Sequence, residues 1–376
     1  MTSFLRFNRL PAILQCAYLA LGLFFFASAH SARAANVPYL IDLSKEYPKK
    51  AGQRANAALK ENVVTLLDRK NPSATGDPHD YFSYARYLWP NPATPSGLPY
   101  IMKDGHVNQA QVDKGDRATL DVMTSTVNAL AVGWAVNHNP QYAKKAGDWI
   151  RAWFVDPKTR MTPNLEFAQI ELGHNNNRGS ASGVGIIDGR ALPEVADALI
   201  LLEGSGALTP SENAAAKAWF AEYFQWLETS PQGKSEHAKH NNHGSWFLVQ
   251  EIALARFVGN DAAARALCEG VKERISLYIE PDGGQPLEYK RVDGLTYSVF
   301  SLRAQAQIAK LALPLGIDLW HYQSPRGGSL VKALDFLRPY NQAPEKWPYS
   351  QKAKMAPGFL NGLLDEVKKL EEKPAK

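Results

Sequence analysis

The sequence predicts an all-α protein built as an incomplete (α/α) toroid, an arc of paired helices. Apolar residues recur at helical spacing through most of the 376 residues, and Pro, Gly and Asn mark the breaks. Strand signals, by contrast, are sparse. Because neighbouring amphipathic helices joined by short loops bury their apolar faces against one another, a run of such pairs favours this toroid.

Nine segments have the apolar spacing of amphipathic helices. The run Thr209-Pro210-Ser-Glu212 is typical of a helix start, because a proline in the first turn loses no helical hydrogen bond. In chain order, we predict helices at residues 51–67, 117–136, 140–154, 192–202, 210–228, 246–259, 261–278, 296–313 and 331–337.

Two long stretches lack this periodicity, residues 71–109 and 160–188. Irregular backbone must stay near solvent, so long loops in a compact domain often line a functional groove. Both stretches contain aromatic, Asn and Arg residues that suit sugars. The charged end of the chain, residues 365–376, is expected to fray.

The N-terminus has the pattern of a secretory signal. Arg6 and Arg9 precede an apolar run at residues 17–27, and Ala32-Arg33-Ala34 forms a small-x-small cleavage site. We therefore predict a signal peptide over residues 1–34 and a single domain over residues 35–376. The mature protein is expected to be periplasmic or secreted, monomeric, and without membrane attachment.

Charge and cysteine content limit the possible partners. The chain has 42 basic and 37 acidic residues, and removing the leader with its three arginines leaves a net charge of +2. This balance gives no indication of nucleic acid binding, so an anionic polymer must be bound by a local basic groove. Cys16 leaves with the leader, so Cys268 has no disulfide partner in the mature chain.

Two segments carry the candidate chemistry: His240-Asn-Asn242-His243-Gly-Ser-Trp246 and Glu288-Tyr-Lys-Arg291-Val-Asp-Gly-Leu-Thr-Tyr297. Together they supply the groups needed to break a polyuronate by β-elimination. That reaction needs a masked C5 carboxylate, removal of H5 and a proton for the departing O4. An amide and an imidazole suit the first task, and a phenol beside a guanidinium suits the other two.

Asn242 and His243 form the first candidate catalytic pair. The Asn242 amide can donate to a carboxylate oxygen of the sugar, and His243 can neutralise that carboxylate or act as the base. Viewed alone, such a segment more often marks a helix start, with Asn242 as the cap. The second segment makes the catalytic interpretation the better one.

Tyr297 and Arg291 form the second pair. A phenol with a pKa of about 10 is a poor base at neutral pH unless a cation such as Arg291 stabilises its phenolate. In β-D-mannuronate and β-D-glucuronate, H5 and O4 lie on the same ring face, so one tyrosine can serve both atoms. We favour this scheme; in the alternative, His243 is the base and Tyr297 only the acid. Taken one at a time, Tyr297 is also typical of a half-buried residue at a helix start, and Arg291 of a surface cation.

The two segments resemble the alginate lyase family of polysaccharide lyases, in which an Asn-Asn-His run faces a later Arg-x5-Tyr element across a groove. Further matching motifs lie upstream: Asp77-Pro-His-Asp80-Tyr81, Tyr87-Leu-Trp89-Pro90-Asn91-Pro92, Gly97-Leu-Pro99-Tyr100, Asp104-Gly105, Pro163-Asn164-Leu165-Glu-Phe167-Ala168-Gln169 and Gly185-Ile-Ile-Asp188-Gly-Arg190. This resemblance implies the same toroid, cofactor-free lyase chemistry and an anionic polysaccharide substrate. The broad branch that the motifs resemble includes mannuronate and glucuronan lyases.

Five further residues are candidate substrate contacts. Glu288 can orient Arg291 through a salt bridge or form a solvated pair with it. Arg178, beside Asn177, can clamp a uronate carboxylate, although Asn-rich runs are more often turns. Tyr84 and Trp246 can stack on sugar faces, although most tryptophans of a helical protein lie in its core.

Three rival interpretations remain open. His237, His240 and His243 suggest zinc, but on a helix the first and third lie about 120° apart, so we expect no metal. A toroidal glycoside hydrolase would need paired acids, for which Asp188, Glu171 and Glu288 are candidates without a diagnostic spacing. A non-catalytic polysaccharide-binding protein would have no use for a phenol beside a guanidinium.

The sequence therefore predicts an exported lyase that cleaves β-1,4-linked D-uronate polymers and leaves 4,5-unsaturated uronate ends. Polymannuronate-rich alginate is the first choice of substrate. Glucuronan is the alternative, because it differs only at C2, away from the reacting atoms.

Overall fold

The computed structural model describes residues 37–372 of the chain, so the predicted signal peptide lies outside the described residues. Within this range the chain forms thirteen α-helices and four short β-strands, which confirms the predicted all-α class. None of the helices in this range is long and apolar enough to cross a membrane.

The helices are α1 (Pro48–Ala58), α2 (Gln109–Val112), α3 (Arg117–Asn137), α4 (Pro140–Ile150), α5 (Leu192–Leu201), α6 (Pro210–Thr229), α7 (Pro231–His237), α8 (Asn242–Phe257), α9 (Asp261–Tyr278), α10 (Pro286–Tyr289), α11 (Gly294–Ala312), α12 (Leu330–Leu337) and α13 (Asn361–Glu371). A π-helical turn, Arg151–Val155, extends α4. The start of α6 has the predicted form, because Thr209 and Glu212 make a reciprocal capping box there.

The helices are arranged as an inner row with outer partners. In the inner row α3, α5, α8 and α11 contact one another in succession, while α4, α6, α9 and α12 pack against them in turn, and α1 and α13 cover the two ends. This arc is the predicted incomplete α/α toroid. Because α8 has neighbours on every side, nearly all of its residues are buried, and only its first turn reaches the cleft described below.

Two differences from the predicted helices have clear physical causes. The first predicted helix, residues 51–67, ends at Ala58, because Thr65 and Asp68 form a separate capped turn. Fraying was expected over residues 365–376, whereas α13 continues as far as Glu371. Its charged residues occupy the outer face, whereas Leu363, Val367 and Leu370 are buried against the body of the domain.

The two irregular stretches are joined to each other. Strand β1 (Phe82–Tyr84), in the first stretch, pairs in parallel with β4 (Phe167–Ile170), in the second. A small hairpin, β2 (Leu88–Trp89) with β3 (Ile101–Met102), projects from the first stretch. The two stretches therefore form one continuous wall beside the inner helices.

Candidate active site

A cleft of about 290 Å³ opens between the start of α8, the α10–α11 segment and the wall formed by the irregular stretches. All four predicted catalytic residues line it: Asn242, His243, Arg291 and Tyr297. Its other polar lining residues are Arg86, Tyr87, Asp104, Arg117, Gln169, Glu171 and Arg190. The fold thus brings both predicted segments to one place.

Asn242 is the first residue of α8, and a buried glutamate fixes its amide. The cap of α8 is Asn241, whose side chain accepts from the His243 N–H, so the expectation of Asn242 as the cap is wrong. The Asn242 Nδ2 donates to Glu288 Oε2 at 2.8 Å, and its backbone N–H donates to the other carboxylate oxygen. The second amide hydrogen of Asn242 has no hydrogen-bond partner within the described residues, and Asn242 lines the cleft.

His243 is held by a second buried glutamate. Its Nδ1 lies 2.7 Å from Oε1 of Glu236, a residue with no exposed surface, and Lys239 Nζ lies 2.6 Å from Oε2 of the same carboxylate. A carboxylate only accepts hydrogen bonds, so Nδ1 carries the hydrogen and Nε2 is left for the cleft. His237 binds a different carboxylate, that of Glu251, at 2.9 Å.

Arg291 is oriented by an aspartate from the irregular wall. Its Nε and a terminal nitrogen donate to the two oxygens of Asp104 at 3.1 and 2.7 Å, a bidentate pair. These hydrogen bonds hold the pKa of Asp104 below its usual value. Neither alternative for Glu288, a salt bridge that orients Arg291 or a solvated pair with it, is observed, because Glu288 is buried against Asn242.

Tyr297 has a different environment from the one that was expected. Its hydroxyl lies 2.7 Å from the hydroxyl of Tyr87, and the Arg291 guanidinium carbon lies 3.9 Å from its ring centroid. Burial and the Tyr87 hydrogen bond raise the pKa of Tyr297, and they outweigh the lowering effect of Arg291. Tyr297 is therefore a protonated phenol, suited to donate a proton.

Arginines outnumber carboxylates in the cleft lining. Arg117 donates to the buried Asp188 at 3.1 Å. Arg86 and Arg190 form no ion pair within the described residues: Arg86 lies over the ring of Tyr87, and Arg190 donates to the Ile187 carbonyl. Such a cleft matches the predicted local basic groove.

The acids proposed for a hydrolase are engaged or isolated. Asp188 accepts hydrogen bonds from the side chains of Tyr81, Ser83, Gln169 and Arg117. Glu288 accepts hydrogen bonds from Asn242. Within the described residues, the carboxylates that line the cleft are those of Glu171 and of Asp104, which is bound to Arg291. This arrangement lacks the two free acids that hydrolysis of a glycosidic bond needs.

The predicted substrate contacts fall outside the cleft lining. Trp246 is only 6% exposed and packs on Phe300, so the prediction that it stacks on a sugar is wrong. Glu288, at 2% exposure, contacts Asn242 rather than substrate. Arg178 pairs with Glu166, and Asn177 accepts from the Gly173 N–H. For Arg178, Asn177 and half-buried Tyr84, a sugar contact stays a prediction.

Comparison with known proteins identifies the family. The model of the family described as alginate lyase matches residues 65–347. The chain belongs to the alginate lyase family. Members of this family are polysaccharide lyases, so this protein is a polysaccharide lyase. No curated protein sequence gives a significant match to the chain.

Solved alginate lyases share the fold. An alginate lyase from Bacteroides ovatus is 36% identical, with a TM-score of 0.82, over 87% of this chain and 86% of that one. Alginate lyase A1-III from Sphingomonas species A1 is 15% identical, with a TM-score of 0.53, over 84% of each chain. An A1-III variant complexed with a tetrasaccharide is 16% identical, with a TM-score of 0.55, over 87% and 88% of the two chains.

Three residues of this alginate lyase site were not predicted in their present roles. Asp104 and Tyr87 lie within or near the upstream motifs, so their positions carried a signal, but their partners are about 190 and 210 residues away in sequence. Glu236 precedes His243 by seven residues, and the break between α7 and α8 hides this contact from helical periodicity.

Proposed function

We propose that this alginate lyase family member cleaves β-1,4-linked D-uronate chains by syn β-elimination, with polymannuronate as its preferred polymer. The product would carry a 4,5-unsaturated uronate at its new non-reducing end. The observation that carries this proposal is that Asn242, His243, Arg291 and Tyr297 line one basic cleft. The tetrasaccharide complex of A1-III is in keeping with an oligosaccharide-binding cleft in this fold.

The first requirement of the reaction is a neutralised C5 carboxylate. The free amide N–H of Asn242 and the guanidinium groups of Arg86 and Arg190 are the donors that meet it, and the start of α8 adds a partial positive charge. Because these groups carry the neutralising charge, His243 does not have to be cationic to bind the substrate.

The environment of Tyr297 favours His243 as the base and Tyr297 as the acid. A raised pKa makes a phenolate costly before the substrate binds, whereas Nε2 of His243 has a lone pair when Nδ1 carries the hydrogen. Both side chains line the same cleft, as a syn elimination requires. We therefore prefer this scheme to the one in which Tyr297 serves both atoms.

The proposed step balances in protons and electrons. The C5–H bond breaks as Nε2 of His243 takes the proton, and the electron pair forms the C4–C5 double bond. The C4–O4 bond breaks, and O4 receives the proton of the Tyr297 hydroxyl. Transfer of one proton from His243 to Tyr297, directly or through solvent, restores the resting enzyme.

We also propose that the enzyme is exported to the periplasm or beyond. The arginines and apolar run of the leader and the Ala32-Arg33-Ala34 site support this. Cell fractionation and N-terminal sequencing of the native protein test it. A mature chain that starts near Ala35 is expected, and a cytoplasmic protein that retains Met1 would overturn the proposal.

Ultraviolet absorbance of the conjugated product tests the reaction directly. The purified mature chain is incubated separately with polymannuronate, polyguluronate and glucuronan, and new reducing ends are counted in parallel. A rise on polymannuronate is expected, whereas a rise on glucuronan alone would keep the mechanism and overturn the substrate. New reducing ends without absorbance would indicate a hydrolase.

A further inference from the structure

The contact between Glu236 and His243 is unusual in its degree of burial. Glu236 has no exposed surface, yet each of its carboxylate oxygens has one cationic or titratable partner, His243 at 2.7 Å and Lys239 at 2.6 Å. A buried carboxylate is stable only when it is paired and hydrogen-bonded. The three side chains therefore form one electrostatic unit, the Glu236–Lys239–His243 cluster.

Lys239 is fixed in this cluster by its surroundings. Its Nζ also donates to the Ser182 carbonyl, and its own carbonyl accepts from Arg274 at 3.0 Å and from the Tyr278 hydroxyl at 2.7 Å. Because both ends of Lys239 are held, its charge stays beside Glu236. The Glu236–Lys239 pair is neutral as a whole, so it orients the imidazole without forcing it to be cationic.

Other charged or titratable groups also surround His243. They come from the helices packed on α8 and from the cleft: Glu251 on α8, Arg274 on α9, Glu288 and Arg291 around α10, Tyr297 on α11, and Arg190 after the turn at 184–189. None of them hydrogen-bonds the imidazole within the described residues. Changes at Glu236 and Lys239 leave all of them in place, so effects of the cluster can be separated from theirs.

We propose that Glu236 and Lys239 are positioning residues for catalysis, a counter-ion pair that sets both the tautomer and the charge of His243. Glu236 places the hydrogen on Nδ1 and leaves the Nε2 lone pair in the cleft. Lys239 balances the charge of Glu236 on the side of the carboxylate away from the imidazole. The catalytic part of this inference rests on the proposed function, but the ionisation part does not.

Titration of the imidazole by nitrogen-15 NMR tests the cluster without any substrate. The His243 signals are assigned by their absence in His243→Gln. Glu236→Gln keeps a hydrogen-bond acceptor but removes the anion, so the His243 titration midpoint should fall by about one pH unit or more. Lys239→Met removes the balancing cation, so the midpoint should rise by a similar amount.

The double variant gives the sharpest outcome. Because Glu236→Gln with Lys239→Met removes a neutral pair, its midpoint should return to within about half a pH unit of the wild type. Lys239→Arg keeps the charge, and exposed Lys234→Met on α7 removes a charge outside the cluster; neither should move the midpoint. Shifts of equal sign in both single variants, or no shift in either, would overturn the proposal.

Activity gives a second and separable readout. On the acidic side of the profile, the pH at which kcat/KM falls to half its maximum should move with the NMR midpoint. It should be lower in Glu236→Gln and higher in Lys239→Met. A structural role alone would lower activity without moving that pH. If the NMR midpoints of His243 shift but the acidic part of the kcat/KM profile does not, then His243 is not the base. The counter-ion role of Glu236 and Lys239 would still hold. If Glu236→Gln does not fold, Lys239→Met with its Arg control still decides the ionisation part.

Discussion

The guanidinium of Arg291 lies over the ring face of Tyr297, with its carbon 3.9 Å from the ring centroid, and it does not hydrogen-bond the hydroxyl. A cation in this position stabilises the ring through its quadrupole, but its effect on the hydroxyl is weaker than a direct hydrogen bond. The hydroxyl is instead bound to Tyr87. Tyr297 is therefore held in place as a phenol.

Removing the Tyr297 hydroxyl should stop the reaction without abolishing binding. We expect Tyr297→Phe to lower kcat by about 100- to 10,000-fold, because O4 loses its proton donor. Polymer binding, measured by calorimetry, should stay close to wild type. Tyr47→Phe, at an exposed position outside the cleft lining, is the control and should be fully active. Retention of most activity in Tyr297→Phe would contradict its role.

Replacing His243 should separate the two schemes of base catalysis. We expect His243→Gln to lose about as much kcat as Tyr297→Phe, because glutamine can donate a hydrogen bond but cannot take a proton. Rate measurements with saturating polymannuronate check this. Partial activity with a raised KM would instead identify His243 as a carboxylate binder and return the base role to Tyr297.

In the neutral range, kcat/KM should show no decrease caused by deprotonation of Tyr297. Because the pKa of Tyr297 is raised, its phenol stays protonated and able to donate as the pH rises. We therefore expect its deprotonation to cause no loss of kcat/KM below about pH 10. Circular dichroism at each pH excludes unfolding. A rate that climbs steadily towards alkaline pH would show that the phenolate is the active form.

Asp104 should matter for rate through the orientation of Arg291. Asp104→Asn removes one acceptor of a bidentate pair, so Arg291 becomes free to leave the ring of Tyr297, and kcat should fall by up to about 100-fold. Asp335→Asn is the control, because Asp335 accepts a single hydrogen bond from Arg338 on the surface. Equal activity of both variants would show that the Asp104 pair is only structural.

The C-terminal helix should contribute to stability. Leu363 has no exposed surface, so Leu363→Ala should lower the free energy of unfolding by about 2–5 kcal/mol. Lys368→Ala on the exposed side of α13 should change it little. Urea unfolding of both variants measures the difference. A loss near zero for Leu363→Ala would mean that α13 unfolds independently of the domain.

The residues that sequence could identify are those whose chemistry appears in local motifs. Asn242, His243, Arg291 and Tyr297 lie in two short segments of the sequence, and all four line the cleft. Their partners could not be derived in this way, because Glu236 acts across a helix break and Asp104 reaches Arg291 from a loop.

Burial is what misled the predictions for Trp246 and Glu288. Both lie within four residues of proposed catalytic residues, a spacing that by itself favours a shared helix face. Trp246 faces Phe300 in the interior, and Glu288 faces the amide of Asn242. Which side of a short helix meets the cleft depends on its packing against the other helices, and a local motif does not contain that information.

The parallel pairing of β1 with β4 also has a consequence for engineering the polymer preference. The strands tie together the stretches that carry Tyr87 and Asp104 on one side and Gln169 and Glu171 on the other. A loop exchanged alone from a relative would meet a mismatched strand partner and lose its register. Grafts that aim at a new polymer must therefore transfer both stretches as a single cassette, with the strand pair intact.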